Sequence, residues 1–160
     1  MTPYQVNVAG EAFAAVLFSQ AGYDVAMHYG TTQPRWDLIA TTGTRMLKLS
    51  VKGSQDGGWG LFQGYLEKAD YHGAIDAWLK DQSQDLVYLL VQFKKVELGS
   101  APRCYLATPK EMADHMHTTR AGHSYTSLRE RHSWTGGIGK GHVDEIPESW
   151  LATQERIDAL

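Results

Sequence analysis

The sequence predicts an α/β protein in which a mixed sheet carries helices on both faces, and three observations predict it. An apolar, helix-like stretch opens the chain and is followed by three short strand-like runs in succession. Residues 86–93 (LVYLLVQF) form a continuous apolar run of branched and aromatic side chains, the mark of a central strand covered on both faces. A helical stretch separates that run from the earlier strands, which supplies the crossover that a parallel neighbour requires.

Taken in order, residues 9–20 (AGEAFAAVLFSQ) read as a buried helix, apolar nearly all round, whose one charge is Glu11. The segment Ala21-Gly22-Tyr23 ends it, and residues 24–29 (DVAMHY) read as a first strand. Residues 35–54 (RWDLIATTGTRMLKLSVKGS) hold two further strands around a Thr41-Thr42-Gly43 turn. A glycine-rich loop spans 53–60, after which Phe62, Leu66, Ala69, Gly73 and Ala77 recur at helical spacing as far as Leu79. Beyond the central strand, 103–107 read as another strand. Thr108-Pro109-Lys110-Glu111 then opens a helix: Thr as cap, Pro in the first turn, Glu three residues after the cap. Past Arg120 the pattern weakens. Residues 122–134 suit one strand or a hairpin, 136–141 (GGIGKG) a loop, and the end a short helix. The order is α-β-β-β-α-β-β-α in one domain over 1–160, with a C-terminal extension from about 121. Trp134, Ile146 and Trp150 are expected to pack that extension against the domain, since a free tail would expose a large apolar patch.

Composition sets limits on function. The chain has 160 residues, 42% of them hydrophobic and 21% charged, as in ordinary globular proteins. No apolar run approaches the ~18–20 residues of a membrane span, and no basic leader precedes an apolar stretch at the N-terminus. A cytoplasmic protein without membrane partners is expected. Cys104 has no partner for an internal disulfide and reads as a small buried thiol. The net charge of −3 argues against a broadly basic nucleic-acid coat. Five acids and one base crowd residues 144–160, however, so 14 of the 15 bases face 13 of the 18 acids in the rest of the chain. A local basic face remains open.

The chemistry concentrates in residues 35–54. Side chains alternate along a strand, so Leu47, Leu49 and Val51 face one layer and Lys48, Ser50 and Lys52 the other. On the preceding strand Asp37 is expected to share a face with Arg35 and Ile39, opposite Trp36 and Leu38. Pairing through the turn sets Asp37 beside Ser50 and Lys52, and Glu11 can reach the same spot. Two carboxylates and an ammonium on a sheet surface suit a hard divalent cation, Mg²⁺ or Mn²⁺, held by Glu11 and Asp37. In such a site a lysine orients a nucleophile or stabilises developing charge. Removing Asp37 is expected to relieve carboxylate repulsion in the metal-free form.

These residues resemble the motif of the PD-(D/E)xK, restriction-endonuclease-like superfamily, which includes the archaeal Holliday-junction resolvases. The resemblance rests on Gly10-Glu11, Trp36-Asp37-Leu38 and Leu49-Ser50-Val51-Lys52-Gly53-Ser54, and by element order it extends to about residue 107. It implies a restriction-endonuclease-like mixed sheet and Mg²⁺-dependent hydrolysis of DNA phosphodiesters, in repair, defence or mobile-element biology. Glu11, Asp37, Ser50 and Lys52 would occupy the catalytic positions, with a homodimer allowed for. One position departs from the pattern: Ser50 stands where the motif has Asp or Glu, and a hydroxyl is a poor Mg²⁺ ligand. Gln55 or Asp56 would offer a substitute oxygen. The second reading is a catalytically degenerate module of the same fold that binds nucleic acid or protein.

Lys48, Gln55, Trp59 and His72 are the expected substrate contacts; an aromatic such as Trp59 on a loop can stack on a base. Other motifs carry less. GGIGKG lacks the Ser or Thr that a phosphate loop needs after its lysine. His115 and His117 point about 200° apart on a helix and cannot share a metal.

Overall fold

A computed structural model describes residues 1–28, 35–119 and 121–160. The first helix, α1 (Pro3–Gln20), begins six residues earlier than expected from the apolar run. The reason is local. Thr2 caps Gln5 N–H while the Gln5 side chain reaches back to the Thr2 backbone, and Pro3 occupies the first turn. The helix is also less buried than its composition suggests. Val6, Gly10, Ala14 and Phe18, spaced by four, form the buried stripe, while Tyr4, Val8 and Val16 are exposed.

The strands β1 (Asp24–Met27), β2 (Leu38–Thr42) and β3 (Arg45–Ser54) form an antiparallel meander, and β2 and β3 turn through Gly43 at φ +54°. Tyr29, the expected end of the first strand, lies outside the described residues. The glycine-rich loop contains a short strand, β4 (Gly58–Gly60). The expected helix from residue 62 is shorter than its spacing implied. Lys68 and Ala69 adopt positive φ, and Asp70 caps Gly73 N–H, so α2 spans Tyr71–Lys80. The chain continues through β5 (Leu86–Gln92), β6 (Arg103–Ala107) and α3 (Pro109–Thr118), the last with the predicted capping box.

The main sheet has the order β1-β2-β3-β5-β6, parallel between β3 and β5 and antiparallel elsewhere. It is a mixed five-stranded α/β sheet, as expected of a restriction-endonuclease-like arrangement. α1 packs over Leu38, Leu49, Val51, Leu89 and Val91 on one face. On the other, α2 and α3 cover Tyr88, Leu90 and Ala107 through Ile75, Trp78, Met112 and Met116.

Two glycines let α1 lie directly on β3. A Cβ at Gly53 would sit 2.7 Å from the Val6 carbonyl oxygen, and one at Gly10 would touch Val51 at 3.4 Å. The residue after the motif lysine is therefore glycine because helix backbone occupies the space a side chain would need.

The C-terminal residues are integral to both layers. After the short α4 (Ala121–Ser124), β7 (Ser127–Arg129) pairs with β4, and β8 (Arg131–Ser133) with β9 (Val143–Glu145). Ile146 and Trp150 enter the α2/α3 core as expected, and Trp134 is half-buried with its indole N–H donating to Asp144. The last helix, α5 (Gln154–Ala159), drops Ile157 into the α1 core. Arg156 makes a two-pronged ion pair with Glu111 at 2.7 and 2.8 Å. Burial would raise the Glu111 carboxyl, but Arg156 and the Thr108 N–H and hydroxyl hold it below the ordinary range. That stabilisation is present above the unfolded carboxylate pKa and is lost as pH falls through the lowered one.

Truncating Ile157 to Ala should cost about 2–5 kcal/mol, measured by urea denaturation; no loss would show that α5 is peripheral. Gly53→Ala should lower the thermal midpoint as well, because the obstructing atom is backbone and cannot rotate away.

Candidate functional site

The site forms where β2 and β3 part. The β2–β3 ladder ends at Leu38 opposite Leu49, whereas β3 continues to Ser54 with only β5 beside it. Asp37 stands at that fork, just before β2. Its backbone N–H donates to Leu49 O at 2.7 Å, and its carboxylate Oδ2 accepts Val51 N–H at 2.7 Å and the Ser50 hydroxyl at 3.5 Å. A side chain thus replaces the next backbone partner, which brings the carboxylate against the motif strand. Oδ1 accepts no hydrogen bond among the described residues.

Leaving the strand at Asp37 breaks the alternation expected upstream of it. Trp36 packs with the α2/α3 core, on the opposite side from Leu38, and Arg35 turns away to pair with Asp81 at 2.9 Å. Neither lies where a continuous strand would have placed it.

Glu11 approaches from α1, and its carboxyl is raised above the usual range. Burial is the largest cause and the neighbouring Asp37 charge the second, with Lys52 acting in the opposite direction. Glu11, Asp37 and Lys52 are therefore electrostatic neighbours although they come from three separate segments. Each is half-buried, so all three remain within reach of solvent. Below the unfolded glutamate pKa the raised value has no effect on stability; above the raised pKa the ionised Glu11 carries its full cost. A cation bound between the two carboxylates would relieve that repulsion, and the donor set, two carboxylates with room for water, fits a hard divalent ion. Ser50 lies on the same face beneath them, 3% exposed, and contributes a hydroxyl turned to Asp37. Among the described residues no three His, Cys, Asp or Glu side chains converge to hold a metal.

The remaining sequence candidates are placed elsewhere or otherwise engaged. Trp59 does not present a free ring for stacking. It is 3% exposed, packs edge-on to Tyr105 and donates its indole N–H to Lys52 O at 2.8 Å, so it buttresses the motif strand. Lys48 pairs with Asp85 at 2.6 Å and lies over the Trp36 ring. Gln55 exchanges hydrogen bonds with Met1, and with Asn7 and Asp56 it borders a shallow groove of about 290 Å³. Asp56 is occupied in its own turn, accepting from Ser54 and Gly58. His72 lies at the start of α2, where it meets His117 of α3. Its partner is 45 residues away in sequence, and no local spacing announced the contact. His115, as expected, points away from His117 and packs on Trp150. Burial pushes the Cys104 thiol up to about 11, so it is protonated at neutral pH.

No protein-family model matches the chain, and no curated protein matches it. Among the described residues no helix is long and apolar enough to cross a membrane.

Glu11→Gln should raise the thermal midpoint of the metal-free protein at neutral pH, because it removes an ionised carboxylate held in an unfavourable place. The gain should disappear at pH 3, where the native carboxylate is protonated as well. A midpoint lowered at both pH values would contradict the electrostatic account.

Proposed function

We propose that the fork at Glu11, Asp37 and Lys52 hydrolyses phosphodiester bonds of DNA with Mg²⁺ or Mn²⁺, as in a PD-(D/E)xK nuclease. The observation that carries this reading is the convergence of two carboxylates and one ammonium at the strand fork, with Glu11 destabilised by Asp37 and eased by Lys52. Glu11 and the unoccupied Oδ1 of Asp37 would hold the cation. Once bound, such an ion polarises a phosphoryl oxygen and lowers the pKa of a coordinated water. Lys52 stands next to both carboxylates, where an ammonium orients an attacking water or stabilises charge growing on the phosphate. Val51 N–H and Ser50 hold Asp37 in place for this task. The β3–β5 core beneath keeps the strand rigid, which suits a site that must hold its groups in register.

One observation favours a second reading, a catalytically degenerate module that binds nucleic acid or protein. Ser50 provides a buried hydroxyl where a third carboxylate would complete the cation's shell. The two readings separate on metal binding and cleavage.

The test is a cleavage assay with Mg²⁺ and Mn²⁺ on single-stranded, duplex and branched DNA, with cation binding followed by titration calorimetry. Lys52→Ala should abolish cleavage and leave folding intact. Asp37→Asn should lose cation binding and activity. Its stability should stay near wild type, because the amide oxygen still accepts Val51 N–H, whereas Asp37→Ala should cost about 1–3 kcal/mol by leaving that donor unpaired. The hydrogen bond thus replaces the stabilisation expected from relieving repulsion at this position. Ser50→Glu should tighten Mg²⁺ binding while destabilising the metal-free form. Absence of both cation binding at millimolar levels and cleavage of every DNA form, unrescued by Ser50→Glu, would leave the binding module.

A further inference from the structure

A second cluster of chemistry-bearing side chains lies on the helical layer, apart from the strand fork. His72 near the start of α2 and His117 near the end of α3 bring their Nδ1 atoms to 2.9 Å. The other nitrogen of His117, Nε2, lies 2.9 Å from Asp76 Oδ1, one turn along α2 from His72. The His123 ring of α4 packs edge-on to His72, 5.2 Å between centroids, and its Nδ1 donates to Thr119 O at 3.1 Å. His72 and Asp76 are exposed and His117 half-buried, so the cluster is open to solvent.

We propose that His72 and His117 form a binding site for a divalent transition-metal ion such as Zn²⁺, through their Nδ1 atoms, with Asp76 as the carboxylate that orients His117. The arrangement of protons leads to this assignment. The Asp76 carboxylate can only accept, so it holds the proton of His117 on Nε2 and leaves Nδ1 with a lone pair directed at His72. A ligating histidine characteristically donates its other N–H to a carboxylate, which sets the tautomer and raises ligand basicity. In the metal-free form the 2.9 Å contact is a hydrogen bond from His72 Nδ1–H. The bound form requires only that His72 take its other tautomer, its proton moved from Nδ1 to Nε2, so both Nδ1 lone pairs meet the ion and no net proton is lost.

The spacing fits. With metal–nitrogen bonds of about 2.0–2.1 Å, two nitrogens this far apart subtend about 90° at the ion. A small opening of the pair reaches tetrahedral geometry. Imidazole nitrogen suits Zn²⁺, Ni²⁺ or Cu²⁺ better than the hard cation assigned to the carboxylates. Because no three such side chains already converge among the described residues, solvent would complete the shell and the ion would exchange. Its structural consequence is a clip between α2 and α3, which cover the same face of the sheet.

The experiment is a calorimetric titration of the full chain with ZnCl₂, paired with thermal melts with and without Zn²⁺. Wild type should take up one equivalent that survives Glu11→Gln, and Zn²⁺ should raise its melting temperature. His72→Ala and His117→Gln should each lose that equivalent and the thermal shift, while Asp76→Asn should weaken binding by about 10-fold or more. Two results would overturn the proposal: no uptake at millimolar Zn²⁺ by the folded protein, or an equivalent retained in both histidine variants. Unchanged affinity in Asp76→Asn would remove the orienting role of the carboxylate.

Discussion

The close seating of α1 on β3 is the constraint on which the rest of the molecule depends. Helix backbone at Val6 meets strand backbone at Gly53, and Gly10 meets Val51, with no side chain between them. Helix and sheet normally keep their distance because side chains from both surfaces interdigitate. Where one partner is glycine the backbones approach, and the neighbouring helix residues are lowered toward the sheet. Glu11 is the residue after Gly10, so the same contact that closes the α1 core also brings a carboxylate to the strand fork.

The fork itself arises from a change of hydrogen-bond partner. β3 is paired on both sides up to Leu49 and on one side beyond it. Asp37 ends the β2 ladder by offering its own carboxylate to Val51 N–H. One oxygen of Asp37 is therefore structural and the other is available for chemistry. Trp59 anchors the strand from the opposite side through the Lys52 carbonyl. The fork is consequently rigid on its β5 side and open on its β2 side. Such an arrangement suits a polar site: backbone that must stay fixed is laddered, and side chains that must meet a ligand have no neighbouring strand over them.

The C-terminal residues complete the domain by joining its two layers. Trp150 and Ile146 close the α2/α3 side, Ile157 fills the α1 side, and Arg156 ties the last helix to the first turn of α3. The acidic character of this segment in the sequence thus coexists with a structural task, because its acids are exposed while alternate apolar positions turn inward.

The sequence alone determined the mixed α/β architecture, the central strand and the α3 capping box, since these follow from local rules of periodicity, burial and backbone capping. It also determined which side chains of β3 share a face, so that Asp37, Ser50 and Lys52 could be grouped before any coordinates. The capping box at Thr2 and Gln5 was equally legible, though the apolar run beside it drew attention to a later start. Other features required the tertiary structure. Trp59 became a buried prop because β7 supplied a partner for β4, and Trp36 left the face of Leu38 because Asp37 ended the ladder. The three histidines met only when α2, α3 and α4 had packed. These outcomes depend on contacts between residues tens of positions apart. Spacing along a chain decides which way a side chain points within its own element; which other element it meets is decided by how the layers close around the core.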